Sequence, residues 1–168
     1  MKEILLTKGY VAHVDDNDYD FLMQYRWHAH VQWTGRVYAQ ASVDGKRVLM
    51  HRMLMDYPEL TVDHIDGNGL NNLRSNLRLA TRSQQRANSK TPDVPKTSRF
   101  RGVTWEPRDH MWRAVVKKEG IKRYSGLFRK DQEELAAHVR DMYALALHGE
   151  YARLNFPERF RIPLDFDE

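Results

Sequence analysis

The stretch from Val62 to Thr81 puts the tightest limit on the fold. It reads Val62-Asp63-His64-Ile65-Asp66-Gly67-Asn68-Gly69-Leu70-Asn71-Asn72, followed by Ser75-Asn76-Leu77-Arg78-Leu79-Ala80-Thr81. A carboxylate and an imidazole stand side by side at the end of a short apolar run. A polar, Gly-containing loop follows, then a second short strand in which Leu77 and Leu79 alternate with polar residues. Thr81-Arg82-Ser83-Gln84 matches a capping box, with Thr81 as N-cap, so a helix is predicted from Arg82 to about Ser89. Adjacent strand residues point to opposite sides. Asp63 and His64 can therefore serve one site only if the strand ends or twists there, which the following loop permits. Such a site can hold one divalent cation beside one base.

Upstream, turn signals divide the chain into short strands. Ile4-Leu5-Leu6 and Tyr10-Val11-Ala12 form a predicted strand pair split by Lys8-Gly9. Asp15-Asp16-Asn17-Asp18 can cap a short helix carrying Tyr19, Phe21, Leu22 and Tyr25. That acidic run lacks the central Gly and final Glu of a calcium loop. Trp27, Ala29, Val31 and Trp33 alternate with polar residues, as do Val37 to Val43. Asp44-Gly45 gives a tight turn into Arg47-Val48-Leu49. The pattern predicts an antiparallel meander with one buried face. His28 and His30 share the other face with no third metal ligand in view, which reads as solvent-facing. Residues 51–55 predict a short amphipathic helix ended by Pro58.

Downstream, the ten residues from Ser89 to Ser98 carry Pro92 and Pro95 and no apolar periodicity, which predicts a linker. Three strands are predicted over 100–105, 111–118 and 121–128. A helix follows over 131–148, with Leu135, Ala136, Val139, Met142, Tyr143 and Ala146 as its apolar face and Gly149 as its C-cap. Trp112, Phe128, Leu135 and Phe156 are expected in the core. The last residues, with Pro157 and Pro163, read as an extended tail. The fold class is α+β: N-terminal antiparallel strands lead into a strand–loop–strand–helix core, and a small three-stranded sheet packed on one helix follows.

The chain has 168 residues, enough for one ordinary domain or two small ones. It has no cysteine, which excludes disulfides and Cys-type zinc sites and suits a reducing cytoplasm. No apolar run reaches membrane-spanning length, and Met1-Lys2-Glu3 does not begin a signal peptide. Residues 1–95 hold twelve Lys/Arg against eleven Asp/Glu, residues 96–157 thirteen against eight, and residues 158–168 two against four. A basic C-terminal half points to a polyanionic partner. Arg74, Arg78, Arg82, Arg86 and Lys90 recur every four residues without an acid among them. Arg82, Arg86 and Lys90 share one face of the predicted helix, a pattern that suits phosphate contact. A small-molecule hydrolase finds no support, since neither a nucleophile elbow nor HExxH is present.

Phosphodiester hydrolysis needs a base for water, a cation for the charge developing on phosphorus and the leaving oxygen, and a scaffold that aligns them. An ordinary histidine is mostly neutral at pH 7. Magnesium prefers oxygen ligands and keeps several waters, so one Asp, one amide oxygen and the substrate phosphate suffice. Asp63-His64, Asn76 twelve residues after His64, and a helix position nine further on resemble the HNH endonucleases of the ββα-metal fold, closest to phage and intron-encoded homing nucleases. Met50-His51-Arg52 and Asn72 belong to the same likeness, which covers roughly residues 48–88. It implies that Asp63 is a metal ligand, that His64 is the general base, and that Asn76 braces the loop and orients His64. The last motif position is Gln85, where the family carries His or Asn. Gln85 keeps an amide oxygen on a longer stem, and Asn88 is an alternative. The implied cofactor is a divalent metal, magnesium or manganese. His51 either contacts phosphate or packs.

The second module resembles the plant ethylene-response-factor DNA-binding domain. The likeness rests on Arg99 to Val103, Trp112-Arg113-Ala114, Tyr124 to Phe128, Glu133 to Ala137, and Gly149 with Ala152 to Pro157. It implies a sheet lying in the major groove, with Arg101, Lys117, Lys122 and Tyr124 facing DNA and Trp105 and Arg113 as further candidates. Thr104 and Glu106 stand where plant members often carry Arg, so the plant target does not carry over. The resulting expectation is a homing-type nuclease domain over 1–90, a linker over 91–97, a DNA-binding domain over 98–157 and a tail over 158–168. It would act on double-stranded DNA, as a monomer, in the cytoplasm of a phage's host. Gln85 keeps open a non-catalytic DNA-binding protein with a degenerate HNH core. An RNA partner is the third reading, disfavoured because the A-form major groove is too narrow for a sheet.

Overall fold

Short apolar runs broken by turn residues build short antiparallel strands, and the computed structural model describes them over residues 1–89 and 97–160. The fold is α+β, as the periodicity predicts. The chain divides into two units, Met1–Gln85 and Arg86–Glu168. The expected linker lies outside the described residues apart from Thr97, and so does the tail beyond Phe160.

In the first unit, β1 (Lys2–Leu5) pairs with β2 (Val11–Val14), and α1 (Asp16–Leu22) follows. The three strands β3 (His28–Val31), β4 (Val37–Val43) and β5 (Lys46–Leu49) make a meander in sequence order. Next come α2 (Met50–Leu54), then β6 (Thr61–His64) paired with β7 (Leu77–Ala80); α3 (Arg82–Asn88) follows, and the division between the units falls within it, so Arg86–Asn88 belong to the second. The core gathers Ile4, Val14, Leu22, Trp27, Ala41 and Met50 with their neighbours. Trp27 also donates its indole N–H to Leu22 O at 2.8 Å. Trp33 departs from the expected alternation. It stands at the β3–β4 turn, past the end of the strand, and is 98% exposed.

The predicted capping box forms. Thr81 N donates to Gln84 Oε1 at 2.8 Å and Gln84 N to Thr81 Oγ1 at 3.3 Å. The acidic run at α1 behaves differently from expectation. Asp15 occupies the N-cap without a side-chain cap bond, because its carboxylate accepts from Arg74 N at 2.7 Å. Arg74 accordingly acts as a clamp. Its Nε and Nη2 grip the Asp18 carboxylate at 2.8 Å each, and Nη1 donates to Leu54 O at 3.0 Å. A planar guanidinium suits this bidentate work, and it pins the start of β7 to α1 and α2.

The second unit is a three-stranded antiparallel sheet, β8 (Val103–Glu106), β9 (Met111–Lys118) and β10 (Ile121–Phe128), with β9 central. α4 (Glu133–His148) packs on it after a turn of 3-10 helix at Lys130–Gln132. Gly149 ends α4 at a φ of 56°, as expected of its C-cap. The buried face of α4 is Ala136, Ala137, Arg140, Asp141 and Ala144. This corrects the predicted face: Leu135, Met142 and Tyr143 are exposed. Small residues let the helix approach the sheet closely, and a buried polar pair takes the place of bulky side chains. Trp112, Phe128 and Phe156 do pack on the core. Pro157–Phe160 is a 3-10 turn where an extended tail was expected.

That polar pair organises the unit. Asp141 is fully buried and accepts from Arg140 Nη1 at 2.9 Å, Asn155 Nδ2 at 3.0 Å and the backbone N–H groups of Asn155 and Phe156. Gly102, at a φ of 73°, lies against Arg140. An added Cβ would stand 2.6 Å from Val115 O and 2.9 Å from Arg140 Nε, so only glycine fits. Asp141→Ala strands a buried guanidinium and two N–H groups, and is expected to cost about 3–5 kcal/mol of stability. Chemical denaturation checks this, and an unchanged midpoint would contradict the assignment.

Candidate active site

β6 delivers Asp63 and His64 to the start of the β6–β7 loop, and both are buried. The loop is tied to the body of the unit at its far end. His13 N donates to Leu70 O at 2.9 Å and Asn72 N to His13 O at 2.8 Å, so residues 70–72 run along the edge of β2. Gly69 makes a second close approach: a Cβ there would stand 2.6 Å from Tyr38 Cδ1 and closer still to Val37 O. The loop can lie on β4 only with glycine at that point.

Amides hold the loop from within. Asn76 Oδ1 accepts from Asp66 N at 3.1 Å, while its Nδ2 donates to Asp66 Oδ1 at 3.0 Å and to Asn71 O at 2.8 Å. Ile65 N donates to Asn76 O at 2.9 Å. Burial pushes the Asp66 carboxyl up, but donors from Asn68, Asn71 and Asn76 outweigh it and hold Asp66 below its ordinary value.

His64 is held by its neighbours. Its Nε2 lies 3.2 Å from Oδ1 of the fully buried Asn72, whose Nδ2 donates to Leu70 O. An amide oxygen only accepts, so Nε2 carries the proton and Nδ1 is the basic nitrogen. The rings of His51 and Tyr38 stand 4.9 and 6.0 Å from that of His64, His51 edge-on. Burial pulls His64 below its ordinary pKa, against the opposing pull of Asn72, Asp66 and Asp63. His51 is displaced further, to about 3, by burial and by its charged-form repulsion with His64 and Arg52. It packs against the Tyr38 and His64 rings, and its Nδ1 is buried without a partner.

Asp63 faces Arg78 across the strand pair. Nε and Nη2 of Arg78 approach Asp63 Oδ2 at 3.2 and 3.1 Å, and both side chains are largely buried. The expected row of five phosphate-binding cations therefore loses Arg74 and Arg78 to ion pairs. Arg82 and Arg86 remain exposed on α3, and Lys90 lies outside the described residues. Gln85 is half-buried in the same helix, and Asn88 is buried.

In the second unit the register separates two sides of the sheet. Lys117 faces Lys122, and Tyr124 faces Val115, on the side away from Ala114 and Val116. Lys117, Lys122 and Tyr124 are exposed. Arg113 shares that side, paired to Glu106 at 2.9 Å and lying 5.5 Å over the Tyr124 ring. Trp105 instead opposes Trp112 and packs against its ring at 5.0 Å. Arg101 is also placed away from the outer side. Its guanidinium donates to the backbone carbonyls of Ala87 and Ser89, its own backbone is clasped by Asn155, and burial lowers its pKa to about 10.

A family model described as HNH endonuclease matches residues 55–87, the segment that carries this loop and both of its strands. The chain is 31% identical over 155 residues to an uncharacterized HNH endonuclease, L560, of Acanthamoeba polyphaga mimivirus, covering 88% of this chain and 76% of that protein. It is 40% identical over 92 residues to Protein 3.8 of Escherichia phage T7, covering 55% of this chain and 73% of that protein. No solved structure matches. The chain belongs to the HNH endonuclease family. Among the described residues no helix is long and apolar enough to cross a membrane.

HNH nucleases generally use a divalent metal. Among the described residues no cluster of three His, Asp or Glu can hold one. A carboxylate with an amide oxygen suits a hard cation that keeps its waters better than zinc. The donor chemistry of Asp63 and Gln85 fits that class. Tyr38 is the site residue that sequence reasoning missed, because only long-range packing brings it to His64. The Asp63–Arg78 pair had a local signal: two strands joined by one loop place these residues opposite each other.

His51 gives the site a pH signature. An unfolded His51 takes up a proton below about pH 6.5, while the folded one resists until about pH 3. The unfolded state therefore binds more protons in that window, and stability falls with acid by up to about 1.4 kcal/mol per pH unit. His64 acts in the same direction. Urea titrations at pH 7 and pH 5 are expected to show a smaller acid loss for His51→Phe than for wild type. Equal losses would contradict the buried neutral assignment.

Proposed function

We propose that this HNH-family chain is a metal-dependent endonuclease that hydrolyses phosphodiester bonds in duplex DNA, with His64 as general base. The observation that carries the reading is the fixed imidazole. Asn72 holds Nε2, the Asn76-braced loop holds the backbone, and burial keeps the ring neutral and able to accept a proton at Nδ1. Asp63 and Gln85 would hold the cation, magnesium or manganese. When bound it supplies positive charge for the phosphate and the leaving oxygen. Arg78 orients the Asp63 carboxylate, and Asn76 acts through the loop and not on substrate.

The second unit supports a division of labour. Residues 98–157 act as an ethylene-response-factor-type DNA-binding domain, joined by residues 91–97 to a nuclease domain over residues 1–90. Lys117, Lys122, Tyr124 and Arg113 form its contact side. A guanidinium presented by a strand suits bidentate contact with guanine, worth about 1–3 kcal/mol of base discrimination. Arg82 and Arg86 of α3 are further phosphate contacts. Arg101 and Trp105 serve the packing of the domain. The phage source of Protein 3.8 supports action inside a phage's host cell.

The test is plasmid nicking with magnesium or manganese. His64→Ala is expected to abolish nicking while DNA affinity stays within about threefold, since the buried base contributes little binding. Gln85→Asn is expected to keep or raise activity, because it places the family's amide at that position. Nicking by His64→Ala at the wild-type rate would overturn the base assignment.

A further inference from the structure

The meander of the first unit has one side that the core does not use. Register places His28 and His30 of β3, Tyr38, Gln40 and Ser42 of β4 and Arg47 and the half-buried Leu49 of β5 on it. Ala29, Ala39, Ala41 and Val48 occupy the other side and are buried. The unused side carries no carboxylate. Apart from Leu49, every side chain named on it can hydrogen bond, and His28 Nε2 meets Gln40 Oε1 at 3.2 Å. Ser42 and Arg47 are exposed, and the two histidines and Gln40 are half-exposed.

This side runs straight into the active site. Tyr38 lies on it, and the Tyr38 ring touches the rings of both His51 and His64. From Tyr38 to Ser42 the strand extends about 14 Å at about 3.4 Å per residue. That matches about four base pairs of duplex, whose phosphates recur every 3.4 Å or so along each strand. Beyond the Tyr38 end of the strip, the tight β3–β4 turn presents Trp33. Gln32 N donates to Arg36 O at 2.8 Å, Gly35 N to Gln32 O at 2.9 Å, and the indole is 98% exposed.

We propose that this side of the β3–β4–β5 sheet is a DNA-contacting surface of the nuclease unit itself, leading the duplex to His64. It rests on the reading of the site as a DNA nuclease. Arg47 supplies the phosphate contact at the far end of the strip, His28, His30, Gln40 and Ser42 the neutral hydrogen bonds, and Trp33 a flat ring beyond its Tyr38 end. Acid-free polarity that joins the base through one tyrosine is what a polyanion requires and what a protein core does not.

Lys46 provides an internal control. It is exposed, adjacent to Arg47, and turned to the opposite side of β5 by strand alternation. In the full-length chain, anisotropy with a labelled mixed-sequence duplex across a salt series compares Arg47→Glu with Lys46→Glu. Arg47→Glu is expected to weaken binding about tenfold and to reduce the salt slope by about one, with Lys46→Glu close to wild type. Equal effects from the two reversals, or an unchanged slope for Arg47→Glu, would overturn the surface. If Arg47→Glu lowers the melting temperature, Trp33→Ala probes the same surface at a residue with no packing to lose. About fivefold weaker binding supports the proposal, since base stacking on an aromatic ring is sequence-tolerant, and unchanged affinity overturns it. His64→Ala nicking keeps the two readings apart. If His64→Ala still nicks, the base assignment is what fails. If His64→Ala is inert and Arg47→Glu binds like wild type, only the surface fails.

Discussion

Asn76 spans the β6–β7 loop, accepting from one side and donating to the other, and the site depends on that span. The loop is rich in polar residues and lies partly buried. Without internal partners its N–H and C=O groups would be left unsatisfied at about 1–3 kcal/mol each. Asn76, Asn71, Asn72 and Asp66 satisfy one another and the backbone at once. The polar network is thus the loop's core, and it fixes where the chain leaves β6. That exit decides the direction of the His64 ring.

The same exit bears on the alternation problem. Asp63 and His64 are the last two residues of β6, where the strand gives way to the loop, and their surroundings differ. Asp63 meets a guanidinium, and His64 meets an amide and two aromatic rings. Asp63 is gripped in an ion pair by Arg78, and burial disfavours the charged form of His64. Tyr38 and Gly69 provide the second constraint, since the loop reaches the β4 surface only where no Cβ intervenes.

Much of this was legible in the chain. The capping box at Thr81, the alternation in β3 to β7 and the turns at Lys8-Gly9 and Asp44-Gly45 are local chemistry, and they form as local chemistry dictates. The Asp63-His64 pair and Asn76 stand out for the same reason. What could not be read is long-range. Arg74 looked like one of a row of cations, but its partner Asp18 lies 56 residues away. Helix α4 misled because hydrophobicity pointed to Leu135 and Met142, whereas close packing chose alanines and a satisfied Arg140–Asp141 pair. Arg101 likewise binds backbone carbonyls that no spacing announces.

The central claim is that the amide network fixes one neutral form of one imidazole. Long-range proton–nitrogen correlation spectra of the histidine side chains read this directly at pH 7. The account predicts a single neutral His64 with the proton on Nε2 and an unprotonated Nδ1, lost to averaging in Asn72→Ala. A His64 ring protonated on Nδ1, or one already averaging between tautomers in the wild-type chain, would contradict it.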